Sequence, residues 1–167
     1  MIEVSVSVGP ADPTPGDDLS TTPDPAFAGR TYPAGPVHTV SAAKIAEFAR
    51  ATGASSPLHT DPEAARDAGL GGLLAPPTFL VSLAQATEAQ YIEDPASGID
   101  FSRVVHGEES FTQARPVVAE DRLVPTLTVE SVRAAGGHAM VTTRVDFADE
   151  AGDEVASVRS MLVVRGD

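Results

Sequence analysis

Proton transfer is the chemistry this sequence can offer. Cysteine is absent, which excludes thiol nucleophiles, disulfides and Cys-ligated zinc. Four histidines are present, His38, His59, His106 and His138, and imidazole exchanges protons most readily near neutral pH. His59 follows Pro57-Leu58 in a loop and precedes Asp61, whose carboxylate is placed to cap a helix or to partner the imidazole. His106, Glu108 and Ser110 alternate, so a period of two puts them on one strand face as a second small polar site. His38 and His138 fall in a tail junction and a hairpin, with no partner in view. The histidines are dispersed and no carboxylates cluster on one element, so no metal site is expected. Gly69-Leu70-Gly71-Gly72 follows a helix instead of joining strand to helix, so it is no phosphate loop and no nucleotide cofactor is expected. A Gly-x-Ser-x-Gly elbow is also missing.

The elements that must hold these residues can be read from the chain. Its 167 residues suffice for one domain with a real core, and 42% hydrophobic with 21% charged residues is an ordinary globular composition. A net charge of −13, with Lys44 the single lysine, argues against nucleic acid and anionic membranes as partners. MIEVSVSVG lacks a basic leader and no 18-residue apolar run occurs, so a cytoplasmic protein is expected. Residues 1–36 hold seven of the 14 prolines and read as a flexible acidic tail, in which Ile2, Val4, Val6 and Val8 could form a short edge strand. Ser41 caps a helix with Ile45, Phe48 and Ala49 on one face, stopped by Gly53. Asp61-Pro62 opens a second, ending at Gly69. A third, from Thr78 to about Tyr91, is apolar nearly all round and should be buried. Four strand-like runs follow at 104–114, 122–133, 138–148 and 154–165, joined by hairpin turns. One apolar sheet face needs a cover, and the third helix is the segment able to supply it. The expected fold class is α+β, an antiparallel sheet wrapped around a central helix, over residues 37–167.

Such a sheet around a helix is the hotdog fold, and residues 53–61, Gly-Ala-Ser-Ser-Pro-Leu-His-Thr-Asp, point there independently. They resemble the MaoC-like (R)-specific enoyl hydratases and 3-hydroxyacyl-thioester dehydratases, whose pattern reads Gly-Asp-x-Asn-Pro-Leu-His-x-Asp. Ala75-Pro76-Pro77-Thr78-Phe79, His106-Gly107-Glu108-Glu109-Ser110-Phe111 and Arg115-Pro116 follow in order and look like the FAS1-like dehydratase branch, which includes subunits of heteromeric dehydratases. The resemblance covers about residues 37–165. It implies reversible hydration of a trans-2-enoyl thioester carried by coenzyme A or acyl carrier protein, as in fatty-acid or polyketide metabolism. It also implies two hotdogs paired side by side, as homodimer or heterodimer, and no cofactor.

In that family an Asp and a His five residues later share the proton work, while an N–H at a helix start faces the thioester oxygen. Here the His is His59, but the Asp position holds Ala54, the Asn position holds Ser56, and the helix-start donor falls on Pro77, which has no N–H. The amide of Thr78 is the nearest replacement. Ser56, Pro77, Thr78, Phe79, Glu108 and Arg115 are the expected substrate-binding positions, with Arg115 meeting either an acidic neighbour or a phosphate of the carrier. The first reading is therefore the acyl-channel subunit of a heteromer whose partner keeps the Asp/His pair. The second is a rearranged hydratase using His59 with Asp61, or with His106 and Glu108. The third is a hotdog thioesterase or acyl-thioester-binding protein.

Overall fold

The computed structural model describes residues 23–166. Strand β1 (His38–Thr39) leads into helix α1 (Ala42–Thr52), where Ser41 Oγ accepts from the Lys44 N–H and Gly53, at φ 73°, closes the C-terminus. Ile45 and Ala49 are its buried stripe. Helix α2 (Pro62–Asp67) starts at Asp61, with Pro62 in the first turn. Both follow the sequence reading. Helix α3 (Val81–Ile92) begins later than the expected Thr78. Pro76 and Pro77 hold residues 77–80 in a turn instead, closed by Phe79 N–H to Pro76 O at 2.9 Å and Val81 N–H to Thr78 O at 3.1 Å.

Four long strands follow: β2 (Val104–Gln113), β3 (Arg122–Ala135), β4 (His138–Ala148) and β5 (Glu154–Val164). They form one antiparallel sheet in the order β1-β3-β4-β5-β2, with α3 against β3 and β4. The apolar faces fall as the alternation requires. Leu127, Val141, Val145, Phe147, Val158 and Leu162 are buried on the concave side, together with Leu80, Ala84 and Tyr91 from the helix region. Gly136 and Gly137, at φ 59° and 79°, make the tight β3–β4 turn that only positive φ permits.

Residues 24–36 correct the tail reading. They run along β3, with Gly29, Tyr32 and Gly35 donating to the carbonyls of Val129, Leu127 and Pro125 at 2.7–2.8 Å, and they bury Phe27 and Tyr32 in the core. Main-chain pairing of this kind leaves no periodic apolar signature. The alternating residues 2–8 lie outside the described residues.

Candidate functional site

His59 closes a short 3-10 turn, Pro57–His59, begun by Ser56, whose Oγ accepts from the Leu58 N–H. Its ring is buried, and Nδ1 lies 2.7 Å from the Leu74 carbonyl. A carbonyl only accepts, so Nδ1 carries a proton and Nε2 is the nitrogen left for proton exchange. The carbonyl is itself fixed. Leu74 N–H donates to Leu58 O at 2.9 Å, and residues 73–75 bond to 117–119 through Ala75 N–H to Val117 O and Ala119 N–H to Leu73 O. Such bracing orients an imidazole for proton exchange at one nitrogen. Its partner is missing. Ala54, five residues earlier, donates its N–H to Ala49 O in the turn that ends α1 and presents only a methyl group.

The other expected residues divide. Asp61 is a cap, its Oδ1 accepting from Glu63 N–H at 2.8 Å and Ala64 N–H at 3.4 Å, and among the described residues the hydrogen bond of the His59 ring goes to the Leu74 carbonyl and not to Asp61. Arg115 takes the acidic neighbour: Nη1 lies 2.8 Å from Asp121 Oδ2, which also accepts from Val118 N–H, and this bond holds the guanidinium above its ordinary pKa. Pro77 and Thr78 are exposed, and among the described residues no acceptor meets the Thr78 N–H. Phe79 is buried edge-on against Phe48, with ring centroids 5.6 Å apart, and lines a cleft of about 420 Å³ between α1 and the start of α3. Gln113, at the end of β2, reaches the Pro77 carbonyl with Nε2 at 3.4 Å, a contact that neither residue type announces.

The second polar site forms from different residues than the alternation suggests. A bulge between His106 and Glu108 pairs His106 with Leu162, Glu108 with Met161 and Glu109 with Ser160. The extra residue, Gly107, reverses the alternation, so His106 joins Glu109 and Phe111 on the concave face while Glu108 and Ser110 turn outward. Glu109, Ser160 and Thr143 stand in one row across β2, β5 and β4. Glu88 of α3 lies over this row, fully buried, and accepts from Thr143 Oγ1 at 2.6 Å through Oε1. Burial pushes its carboxyl above the glutamate range, opposed by the Thr143 hydroxyl and by His106, and aided by Glu109. Glu88 Oε2, Ser160 Oγ and Glu109 Oε1 have no hydrogen-bond partner among the described residues.

Glu88 and His106 border a cleft of about 690 Å³ between the C-terminal half of α3, the following loop and the start of β2, with Ala89, Ile92, Ile99 and Phe101 as its apolar walls. The sequence held a signal for Glu88, because Ala84, Thr87, Glu88 and Tyr91 follow the i, i+3, i+4, i+7 spacing of a buried stripe. Among the described residues no group of three or more His, Asp or Glu side chains can hold a metal, and no helix is long and apolar enough to cross a membrane.

A sheet curled around one helix, with a braced histidine in the loop ahead of it, defines a hotdog of the dehydratase class. The model of the FAS1-like dehydratase domain region matches residues 26–158, and the chain belongs to that family. A UPF0336 protein of Clavibacter michiganensis is 51% identical over 144 residues, covering 86% of this chain and 97% of the relative. One of Leifsonia xyli is 49% identical over the same length and coverage. Among solved structures, a MaoC-like dehydratase superposes with a TM-score of 0.78 at 31% identity, covering 84% of this chain, which spans 43% of that longer one. The HadBC (3R-hydroxyacyl-ACP dehydratase) complex of Mycobacterium tuberculosis gives 0.73 at 28% identity, over 82% and 96% of the two chains.

Proposed function

We propose that this chain is the acyl-channel subunit of a cytoplasmic (R)-specific 3-hydroxyacyl-thioester dehydratase, paired with a hotdog subunit that carries the Asp/His pair. The substrate is an acyl group on coenzyme A or acyl carrier protein. Ala54 carries the argument. Dehydration removes a proton beside the thioester carbonyl and protonates the departing hydroxyl, while the enolate-like oxygen is stabilised. His59 is held ready at Nε2, but a methyl group stands where its proton-transfer partner belongs, and Pro77 supplies no N–H at the family's donor position. His59 is left to position water or hydroxyl, with the Thr78 N–H as the remaining donor. The HadBC complex supports a hotdog partner, and the cleft beside α3 supports a channel.

The test is hydration of crotonyl-CoA and longer enoyl-CoA thioesters, followed by loss of enoyl absorbance, with the chain alone and with a co-purifying hotdog protein. The expected result is silence alone and activity in the mixture. Activity of the chain alone, abolished in His59→Ala, would overturn the reading in favour of a rearranged site. Silence in both arms would favour the alternative, a thioesterase or an acyl-thioester-binding protein, to which the same cleft is suited.

A further inference from the structure

The large cleft beside α3 combines apolar walls with charge of one sign. Four carboxyl side chains line it, Glu88, Glu93, Asp94 and Asp100, and among the described residues His106 is the sole basic lining residue. Glu93 and Asp100 are exposed at its rim, while Glu88 is fully buried inside with Oε2 unpartnered. Asp100 Oδ1 accepts from the Ser102 hydroxyl at 2.7 Å and the Ser102 N–H at 3.0 Å, bonds that hold its carboxyl below the usual aspartate range and keep it ionised at neutral pH. Two cations stand nearby without lining the cleft: Arg30, with Nη1 3.8 Å from Asp94 Oδ2, and Arg103, whose charge also acts on Asp100. Helix α3 ends at the same place, and its last carbonyls carry the negative end of the helix dipole.

These charges sort the groups that can enter. An alkyl end gains from the walls and carries no charge to be opposed. A carboxylate end gives up hydration on entering and then stands among like charges, with His106 as its one counter-ion on the lining. Apolar walls alone already disfavour a carboxylate. The contribution of the acids is therefore seen by removing them, through the change in preference between a neutral and an anionic guest.

We propose that this cleft admits acyl chains whose far end is uncharged and rejects those ending in a carboxylate, with Glu93 and Asp100 as the discriminating residues. This rests on the acyl-channel reading above and names the class of acyl group that the channel takes. Titration of the full chain with octanol and with octanoate at low salt and neutral pH, followed by NMR, tests it in wild type, Glu93→Gln/Asp100→Asn and Ala89→Leu. Asp100→Asn keeps an oxygen for Ser102 and Glu93 is exposed, so the double variant keeps its fold, which thermal melting verifies. Wild type should prefer octanol, Ala89→Leu should weaken octanol and so place the probe in the cleft, and the double variant should narrow the preference over octanoate about tenfold. An unchanged preference in the double variant would overturn the discrimination. Octanol that fails to bind, or that Ala89→Leu leaves untouched, would overturn the entry of an alkyl end into this cleft. The hydration assay separates the two claims. An active mixture alongside an unchanged preference leaves the function standing without the discrimination; a silent mixture alongside a narrowed preference leaves the discrimination in a chain that binds acyl groups without the hydratase function.

Discussion

A carboxylic acid sealed under a sheet is a different instrument from a braced histidine at a loop, and Glu88 is the residue where this chain departs most from an apolar core. Burial raises its pKa above the glutamate range, more than the Thr143 hydroxyl lowers it. Between the ordinary glutamate value and that raised value the folded chain binds more protons than the unfolded one. Stability from this site is therefore complete at acidic pH and falls as pH rises through the folded value. Glu88→Gln keeps an oxygen for Thr143 and removes the titration. It should melt above wild type at pH 8 by several degrees, a gain of about 1–3 kcal/mol, with the gap shrinking toward pH 5. Thermal melts at the two pH values check this; a gap independent of pH would mean that folding does not raise the carboxyl's pKa. His59 belongs to the other kind of site, since its orientation comes from a main-chain carbonyl and survives the loss of any acidic partner.

That carbonyl belongs to an element whose fit depends on a glycine. A Cβ on Gly72 would stand 2.9 Å from Ala119 O and 3.2 Å from Ala119 Cβ, and Ala119 is tied back to Leu73. Gly72→Ala should destabilise by about 1–3 kcal/mol and loosen residues 73–75. Gly71→Ala, with open space at its Cβ, is the control and should be nearly neutral. Denaturant melts give the first reading, and faster solvent exchange of the His59 Nδ1 proton in NMR gives the second. At this scale much was legible in the sequence. The Ser41 and Asp61 caps, the stop at Gly53 and the concave alternation of β4 and β5 all follow from local chemistry that tertiary structure did not override. The bulge at Gly107 was not legible, because counting by two assumes that every residue pairs, and one unpaired residue exchanged Glu108 for Glu109 at the inner site. Residues 24–36 escaped for a related reason, since they dock through main-chain bonds to β3 with only Phe27 and Tyr32 buried. Pro76-Pro77 marked a boundary, but the helix waits four residues beyond Pro77, which moves Thr78 from a helix start into a turn.

At the scale of the whole molecule, the two ends of α3 carry different equipment. The His59 loop, Pro77 and Gln113 gather toward its start; the large cleft with His106 lies toward its end. Antiparallel pairing through β2 would set the start of this strand beside the end of the partner's strand. In a partner of the same fold, the end of that strand lies near its own counterpart of the His59 loop. The cleft beside Ala89 and Ile92 is thus the part of this chain that would face the partner's Asp/His pair, and an acyl chain bound there would extend into this subunit. Ala89→Leu adds three carbons to the cleft wall without adding charge. In the paired complex, the ratio of turnover for long to short enoyl thioesters should fall about tenfold, because lost room penalises only the acyl groups that reach the cleft. Turnover across a series of chain lengths measures this directly. An unchanged ratio would place the acyl path elsewhere and leave the smaller cleft between α1 and α3, lined by Phe48 and Phe79, as the remaining route.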